Sequence, residues 1–484
     1  MTETVFARPT SDRRRWWILV VLALSTLVLI IDNMALTVAV PPLAADLGAS
    51  APDIQWVLDS YLLVFAGLLL TSGSLGDRFG RRRVMVIGLT LFGASSLLAA
   101  FAADPTQLIT ARAVMGVGGA LIMPSTLSIL ITVFDDTERP KAMAVWSTAA
   151  TVGFVGGPVV GGALIAWFWW GAVFLINVPI TLIAIVAALV LMPESKGPWR
   201  KADPLGAALS SIGMTAVVWT IIELPHDTNV LVPLTIGVTS LGAFVFWELR
   251  TPSPMVPLGL FKARNFSGGS LALTLSQVAN GGLRIVVTQY LQFVLGYSPT
   301  RAGLTFLPMA IGSLTCNWLG ATLGQTVSNR SRVAIGLTLY AAAFGWMSTF
   351  SPDAGVLTVS AALLVLGCGG GLAVPAAIAA LMGTVPPEQA GVGSALNDTV
   401  QQLGAALGVA ALGSLVSGAF VAAMPDGSPT SIGDAVRVPA LVGAAGTAFT
   451  DAMSTTFAIS AAAVLAAAVL ALVVMRDQKT LVAL

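Results

Sequence analysis

The chain has 484 residues, of which 56% are hydrophobic and 10% are charged, and its mean hydropathy is +0.88. Because soluble domains carry roughly 25% charged residues, this composition excludes an ordinary soluble protein and predicts an integral membrane protein. The net charge of +1 gives no reason to expect a nucleic-acid partner. Both cysteines, Cys316 and Cys368, lie in apolar stretches, so a disulfide framework is not expected.

Long apolar stretches follow one another along the whole chain, and each could form a transmembrane helix of about 20 residues. The sequence predicts fourteen such helices, which makes the fold an all-α integral membrane fold. The predicted spans cover residues 16–40, 55–75, 84–103, 106–133, 141–166, 172–193, 204–223, 230–248, 266–294, 302–324, 333–350, 355–383, 391–420 and 452–475. The first stretch is about 25 residues long, which predicts a span and not a cleaved signal peptide.

Lysines and arginines are concentrated in alternate loops between the predicted spans. Of the 24 in the chain, only four lie elsewhere: Arg301 and Arg437 in the other set of loops, and Arg112 and Arg284 within spans. The positive-inside rule makes the basic loops cytoplasmic, and with them both termini, 1–15 and 476–484. The richness in alanine, glycine and arginine suggests a bacterial source, so a multi-pass protein of the bacterial cytoplasmic membrane is expected.

The two halves of the chain resemble each other. The run GVGGALIMP at 116–124 returns as GCGGGLAVP at 367–375. Likewise Ser74–Gly76, which precedes one basic loop, returns as Thr322–Gly324 before another. Two similar bundles with a binding site between them are the architecture of an alternating-access carrier.

The repeat predicts how the chain is divided. An N-terminal six-helix bundle is expected at 16–193 and a C-terminal six-helix bundle at 266–475, with two accessory transmembrane helices inserted between them at 204–248. Residues 421–451 are too polar and too rich in proline and glycine to span, so we expect an extracellular loop there.

The loop between the second and third spans reads GSLGDRFGRRR. It resembles the helix 2–3 loop signature of the major facilitator superfamily, with Gly76 at a position that is often alanine. The resemblance implies a charge clamp that closes the cytoplasmic face, in which the acid meets the end of a helix from the other bundle and the arginine pairs with acids at the foot of helix 4. The residues expected to form this gate are Gly73, Asp77, Arg78, Gly80 and Arg81, and the acids available are Asp135, Asp136 and Glu138. The second copy has Gln325 in place of Asp77, which predicts an asymmetric clamp; a loop that only anchors the positive side is the alternative.

The fifth span contains the pattern Gly153-x-x-x-Gly157-Pro158-x-x-Gly161-Gly162. It resembles the antiporter signature of the same superfamily, and Gly157, Pro158 and Gly161 complete the expected gate. Glycines at this spacing let helix backbones approach closely, and the proline removes a backbone hydrogen bond and bends the helix. The resemblance implies a helix that limits leak through an empty carrier; plain helix packing is the alternative. With the helix count and FLINVP at 174–179, nearly the whole chain is similar to the fourteen-helix drug–proton antiporter branch.

Two charges inside predicted spans are candidates for proton coupling, because charged residues in hydrocarbon are costly and functional by default. At a rise of 1.5 Å per residue, Asp32 lies roughly 24 Å from the cytoplasmic end of its helix and Arg112 roughly 9 Å from the outer end of its own. These depths are similar, so the sequence predicts that the two residues pair. We expect Asp32 to bind and release a proton while Arg112 controls how readily it does so; a static structural pair is the alternative.

Three more charged residues lie within or near predicted spans. Asp398, roughly 10 Å from the cytoplasmic face, could be a second proton site or a cation-binding carboxylate, or could cap a helix start together with Asn397. Asp59 lies about one turn below the outer surface and faces either the binding site or its mouth. Arg284 could snorkel to the interface; if it faces the cavity, it would disfavour simple cationic substrates.

Aromatic residues and methionines on helices that line the cavity in relatives could hold flat cations. The expected substrate-binding set is Asp32, Asp59, Asp398, Phe154, Trp146, Trp318 and Met309. Carboxylates in an apolar cavity would favour lipophilic cations.

The resulting interpretation is a proton-coupled multidrug efflux antiporter, driven by the proton gradient without a cofactor or a metal. Its partners would be lipophilic small molecules, protons and membrane lipids, and it would be a monomer. The alternative is a proton-coupled exporter of one specific endogenous metabolite or lipid, while the fifth-span motif disfavours an uptake symporter. A membrane enzyme is not expected, because the sequence has a single histidine and no His/Cys/Asp cluster. The chain has no phosphate-binding loop either, so ATP does not drive it directly.

Overall fold

The computed structural model describes residues 12–135, 138–196, 203–224, 230–252, 254, 256, 258–323, 327–385 and 390–476, and these ranges contain helices and no β strand. The helices are α1 Asp12–Leu47, α2 Ala51–Phe79, α3 Arg81–Ala100, α4 Pro105–Val133, α5 Arg139–Trp167, α6 Ala172–Leu175, α7 Asn177–Leu191, α8 Pro204–Glu223, α9 Leu231–Glu248, α10 Arg264–Gln289, α11 Pro299–Thr305, α12 Leu307–Leu323, α13 Asn329–Met347, α14 Val356–Met382, α15 Ala390–Ala423, α16 Ile432–Ala435 and α17 Val442–Val474. Asp136, Gln325 and the terminal residues 1–11 and 477–484 lie outside the described ranges. The predicted all-α fold is confirmed.

Each of the fourteen predicted spans coincides with one helix or with two consecutive ones. The sixth span is the pair α6 and α7, which breaks at Ile176, and the tenth is the pair α11 and α12, which breaks at Phe306. A proline lies in the first turn of each second helix, Pro179 in α7 and Pro308 in α12. Proline is tolerated in a first turn because the N–H group it lacks has no partner there.

Hydropathy alone accounts for only part of this count. Within the described ranges, nine helices are long and apolar enough to cross a membrane, or up to eleven spans when two bent pairs are each taken as one. The helices α10, α12 and α13 do not reach that standard, and they turn polar side chains such as Asn280, Asn317 and Tyr340 toward a shared cavity. A helix that lines a cavity can carry polar groups at membrane depth, so the fourteen-helix architecture is consistent with the structure.

The helices form two bundles, α1 to α7 and α10 to α17. The accessory helices α8 and α9 pack on each other, and α8 also contacts α2 in one bundle and α15 in the other. Ser240 Oγ on α9 donates a hydrogen bond to the Leu209 carbonyl on α8 at 2.8 Å. The inserted pair therefore lies beside the junction between the bundles.

The predicted loop 421–451 is more helical than expected. It contains the short helix α16, and α17 begins at Val442, well before the predicted start at residue 452. Polarity alone predicted a loop for these residues. It did not reveal the helix because alanine-rich residues extend α17 beyond its apolar stretch, and alanine has the highest helix propensity.

Two ends of the molecule can be distinguished by charge. We call the end that carries Arg13–Arg15 and Arg81–Arg83 the basic face, and the other end the opposite face. Hydrogen bonds join the bundles at the opposite face: Thr300 Oγ1 donates to the Gly162 carbonyl at 2.9 Å, and Gln292 Nε2 donates to the Val38 carbonyl at 2.9 Å. Arg437 Nη2 donates to the Ala45 carbonyl at 2.6 Å. The structure is therefore closed at the opposite face.

Candidate transport site

A cavity of about 450 Å³ lies between the two bundles. This volume suits a drug-sized ligand, since such pockets usually measure roughly 300–1,000 Å³. The N-terminal bundle contributes Asn33, Met34 and Tyr61, among others, and the C-terminal bundle contributes amide side chains and Arg284. Among the described lining residues Arg284 is the one charged side chain. The cavity is thus lined by residues of both bundles, as a site for alternating access must be.

The structure places the predicted substrate-binding residues in different surroundings. Phe154 and Met309 line the cavity. Trp318 does not, because its neighbour Asn317 faces the cavity while Trp318 is 69% exposed on the outer surface of α12. Trp146 is half-buried and is not among the described lining residues.

The predicted pairing of Asp32 with Arg112 is confirmed. Arg112 Nη1 lies 2.5 Å from Asp32 Oδ2, and both side chains are fully buried. Arg112 Nε also donates to the Val57 carbonyl at 3.2 Å, and its guanidinium lies 4.4 Å from the centre of the Tyr61 ring. Because Tyr61 lines the cavity as well, its ring separates the ion pair from the site where a ligand would bind.

The carboxylate of Asp32 has a second partner that sequence reasoning missed. Asn177 Nδ2 on α7 donates to Asp32 Oδ1 at 2.7 Å and lies 3.3 Å from Ser96 Oγ on α3. The FLINVP pattern contains Asn177, but nothing in the sequence indicates which acid it would meet. With this contact, Asp32 ties together α1, α4 and α7 of the N-terminal bundle.

Asp59 is buried without a partner. Its exposure is 0%, and neither carboxylate oxygen has a hydrogen-bond donor among the described residues. Gln55 lies one helical turn away on the same face of α2, and its Oε1 accepts a hydrogen bond from Ser414 Oγ on α15 at 3.2 Å. Asp59 therefore lies beside the closed junction of the two bundles and not on the cavity wall.

Asp398 lies on α15 one turn closer to the basic face than Gln402, a cavity-lining residue. Its Oδ1 accepts a hydrogen bond from Asn397 Nδ2 at 3.0 Å. The helix already begins at Ala390, so the alternative that Asp398 caps a helix start is wrong. None of the three predicted acids is thus among the described residues that line the cavity.

The loop between α2 and α3 forms contacts within its own bundle. Gly80 has a φ of 113°, a conformation that favours glycine, and a Cβ there would lie 2.6 Å from the Glu194 carboxylate, which would have to move. Arg81 Nε and Nη2 lie 3.0 and 2.9 Å from Asp77 Oδ1, and Nη1 lies 2.6 Å from Thr132 Oγ1. Gly73 is less constrained, since the nearest atom to an added Cβ is the Pro124 Cβ at 3.9 Å. Arg78 is exposed and lies over the Phe79 ring at 5.0 Å.

Arg15 contacts the described acids at the foot of α4. Arg15 Nη1 lies 2.7 Å from Glu138 Oε2 and 3.6 Å from Asp135 Oδ2. Glu194, which follows α7, instead meets the loop arginines, Arg82 at 3.8 Å and Arg83 at 3.6 Å. In this conformation the closed face is the opposite one, so contacts between bundles at the basic face are not required.

The α5 motif serves two different interfaces. An added Cβ at Gly161 would lie 2.7 Å from Ala35 Cα on α1, and one at Gly157 would overlap Met34 on the same helix. At Gly162 it would instead lie 2.7 Å from Thr300 Cα on α11 of the other bundle. The predicted bend is also present: α5 turns by 41° between Phe154 and Gly156, beside the Phe154 carbonyl that the missing N–H of Pro158 would have bound.

Two six-helix bundles enclose a shared cavity that is closed at one face, and one bundle contains a buried ion pair beside it. This arrangement defines a secondary transporter that works by alternating access. The chain matches the model of the Major Facilitator Superfamily over residues 22–409. It belongs to this superfamily, as the loop and α5 motifs predicted.

Relatives place the chain among the drug-efflux members of the superfamily. It is 36% identical to the multidrug efflux pump LfrA of Mycolicibacterium smegmatis over 97% of this chain and 98% of that protein. It is 33% identical to the puromycin resistance protein pur8 of Streptomyces alboniger, over 86% and 84% of the two chains. The methyl viologen resistance protein SmvA of Salmonella typhimurium is 32% identical over 88% and 89%. The predicted resemblance to multidrug efflux transporters is confirmed.

Solved structures agree on the fold. A bacterial homolog of the human lysosomal transporter Spinster superposes with a TM-score of 0.68 at 18% identity, covering 96% of this chain and 98% of that one. The peptide transporter POT superposes with a TM-score of 0.69 at 15% identity, covering 97% and 95%. At these identities the likeness concerns the fold alone.

Proposed function

We propose that this protein is a proton-coupled antiporter that exports lipophilic small molecules across the bacterial cytoplasmic membrane. The basic face is cytoplasmic and so are both termini, in keeping with the positive-inside rule. This structure, which is closed at the opposite face, then receives substrate from the cytoplasm. One chain supplies both walls of the cavity, so the protein works as a monomer. The observation that carries the proposal is the buried ion pair of Asp32 and Arg112, one ring away from the cavity.

The ion pair gives a proton a way to change the structure. In the state described here Arg112 and Asn177 both donate hydrogen bonds to the Asp32 carboxylate. A proton on Asp32 would remove the charge that holds both donors and leave Arg112 buried without an anion, which is costly. The guanidinium would then shift, and with it the Tyr61 ring that forms part of the cavity wall. Substrate binding and proton binding thereby compete through one side chain.

Asp59 supplies a second point of coupling at the junction of the bundles. A carboxylate that is buried with no donor is costly when ionised, so closure of the opposite face favours a proton on Asp59. When that face opens, water reaches the junction and the ionised form becomes acceptable. A proton taken up from outside therefore favours the return to the closed state, which is the direction an export cycle needs.

The test is transport into everted vesicles or proteoliposomes with an imposed pH gradient and a fluorescent aromatic dye such as rhodamine 110. Wild type is expected to move dye only with the gradient, and Asp32→Asn is expected to lose the dependence on it. Asp353→Asn is the matched control, because Asp353 is an exposed acid in the loop between α13 and α14. Dye movement by wild type that ignores the gradient would refute proton coupling, and Asp32→Asn with unchanged gradient dependence would remove Asp32 from the mechanism.

A further inference from the structure

Arg284 is placed where it can decide the charge of the substrate. It lies on α10, and its Nη1 is 3.2 Å from Met34 Sδ on α1, so its side chain crosses the space between the bundles. The described residues give it no carboxylate within ion-pair distance. It does not snorkel to an interface, because it lines the cavity itself.

The face of α10 that carries Arg284 is polar along the cavity. Asn280 lies one turn below, and its Nδ2 donates to Tyr340 Oη at 2.5 Å, while its Oδ1 is buried without a partner among the described residues. Gln277 lies a further turn below and donates to Gln401 Oε1 on α15 at 3.2 Å. The closed end of the cavity therefore presents a cation, and the strip below it presents amides that can bind polar groups.

Acids do not balance this charge. Asp32 is occupied by Arg112 and Asn177, and Asp59 is buried at the bundle junction. Asp398 lies beyond Gln402 toward the basic face, at the other end of the cavity. A lone guanidinium at membrane depth is costly and is retained for a function, and its planar set of donors matches a carboxylate in a bidentate fashion.

We propose that the cavity selects aromatic compounds that carry an acidic group, a carboxylate above all, and that Arg284 binds this group. The inference rests on the proposed export function of the same cavity, and it replaces the expectation of cationic substrates, whose premise was a carboxylate on the cavity wall. Phe65, which stacks on Tyr61 with ring centres 5.6 Å apart, and Phe154 offer faces to the rings of such a compound. A permanent cation would instead be repelled from the closed end.

A matched pair of dyes tests this proposal. Both dyes share a cationic xanthylium ring system, which rhodamine 110 combines with a free carboxylate and rhodamine 123 with the methyl ester of that group. A difference in binding therefore reports the carboxylate. Anisotropy titrations on the purified full-length protein measure binding without any gradient. Wild type is expected to bind rhodamine 110 at least about tenfold more tightly than rhodamine 123, since a bidentate charged contact contributes more than one factor of ten.

Arg284→Gln is expected to abolish the preference while it retains binding of rhodamine 123, which shows that the variant is folded. Arg284→Lys, which keeps the charge and loses the bidentate geometry, is expected to retain part of it. Arg301→Gln is the control, because Arg301 is an exposed arginine stacked over the Tyr297 ring outside the cavity. Equal binding of the two dyes by wild type, or a preference that survives Arg284→Gln, would overturn the proposal.

Flux measurements separate this inference from the proposed function. If the carboxylate preference depends on Arg284 but neither dye moves under a pH gradient, the charge selectivity stands and proton-coupled export fails. If gradient-driven flux is observed and rhodamine 123 is exported as fast as rhodamine 110 by both wild type and Arg284→Gln, export stands and the role of Arg284 is refuted.

Discussion

Gly162→Ala should shift the protein from the state closed at the opposite face toward the state open there. The added methyl group would lie 2.7 Å from both Pro299 O and Thr300 Cα, whereas ordinary contacts of a Cβ begin at 3.4 Å. The neighbours are backbone atoms of α11 in the other bundle, so the side chain cannot avoid them by rotation. The clash of about 0.7 Å exists only while α5 and α11 are pressed together, and it disappears when that face opens.

The size of the shift follows from the cost of overpacking. Extra methyl groups in a packed interior typically cost about 1–3 kcal/mol. Since 1.4 kcal/mol is a factor of ten, the ratio of open to closed molecules should rise by roughly 5-fold to 150-fold. The closing hydrogen bond from Thr300 Oγ1 to the Gly162 carbonyl would be disturbed by the same displacement, which acts in the same direction.

Two substitutions on the same helix provide controls. Gly156→Ala adds a methyl group with nothing within 4 Å, so it should leave the ratio unchanged. Gly161→Ala places the methyl group 2.7 Å from Ala35 Cα on α1, inside one bundle, so it should lower thermal stability without a matching change in the ratio. The three variants therefore separate the effect of a methyl group from the effect of its position.

The assay is a distance distribution between spin labels on two exposed loop residues of the opposite face, Ala103 and Asp353. Both positions are changed to cysteine in a background in which Cys316 and Cys368 are replaced by alanine. Wild type should show mainly the short distance, and Gly162→Ala should show an added longer one. If Gly162→Ala and Gly156→Ala give the same distribution, the contact of α5 with α11 does not control the opposite face.

Three further predictions follow from single contacts. Asn177→Ala removes one donor to the Asp32 carboxylate, a contact to a charged group worth about 1.5–3 kcal/mol. Gradient-driven flux should therefore fall about tenfold or more, while dye binding measured without a gradient should be unchanged. Reduced dye binding would contradict this prediction. Gly80→Ala should lower the melting temperature measured in detergent, because φ is 113° and the Glu194 carboxylate would have to move away from the Cβ, whereas Gly355→Ala, where a Cβ meets nothing within 4 Å, should not. Phe154→Ala should weaken dye binding several-fold and Trp318→Ala should not, since only the first lines the cavity; the reverse result would mean that ligands bind the outer surface of α12.

The sequence predicted most reliably what hydropathy and the cost of buried charge determine. The spans follow from the length of apolar stretches, and the pairing of Asp32 with Arg112 follows from equal depth, because each needs an opposite charge at that level. Both arguments use one coordinate, the position along the membrane normal. That coordinate can be read from residue counts at 1.5 Å per residue.

Contacts that depend on rotation about a helix axis could not be predicted in this way. Adjacent residues on α12 show why: Asn317 faces the cavity and Trp318 the outside, a difference of about 100° that depth does not resolve. The burial of Asp59 at the bundle junction likewise depends on which face of α2 meets α15. Partners such as Glu194 for Arg83 also depend on the conformational state, which a sequence does not specify.

The α5 motif connects the helix that carries Asp32 with the opposite face. Gly157 and Gly161 fix α5 against α1, the helix that carries Asp32, through close backbone approach at Met34 and Ala35. On the next residue, Gly162 brings the same helix against α11 of the other bundle. In the proposed cycle, a change in the contacts of Asp32 would move α1 relative to α4 and α7, and α5 would follow because its glycines bring the two backbones into close contact. The helix α5, which already contacts α11 at the opposite face, would then release or close that face. Coupling would require only the contact of α1 with α5 and the contact of α5 with α11.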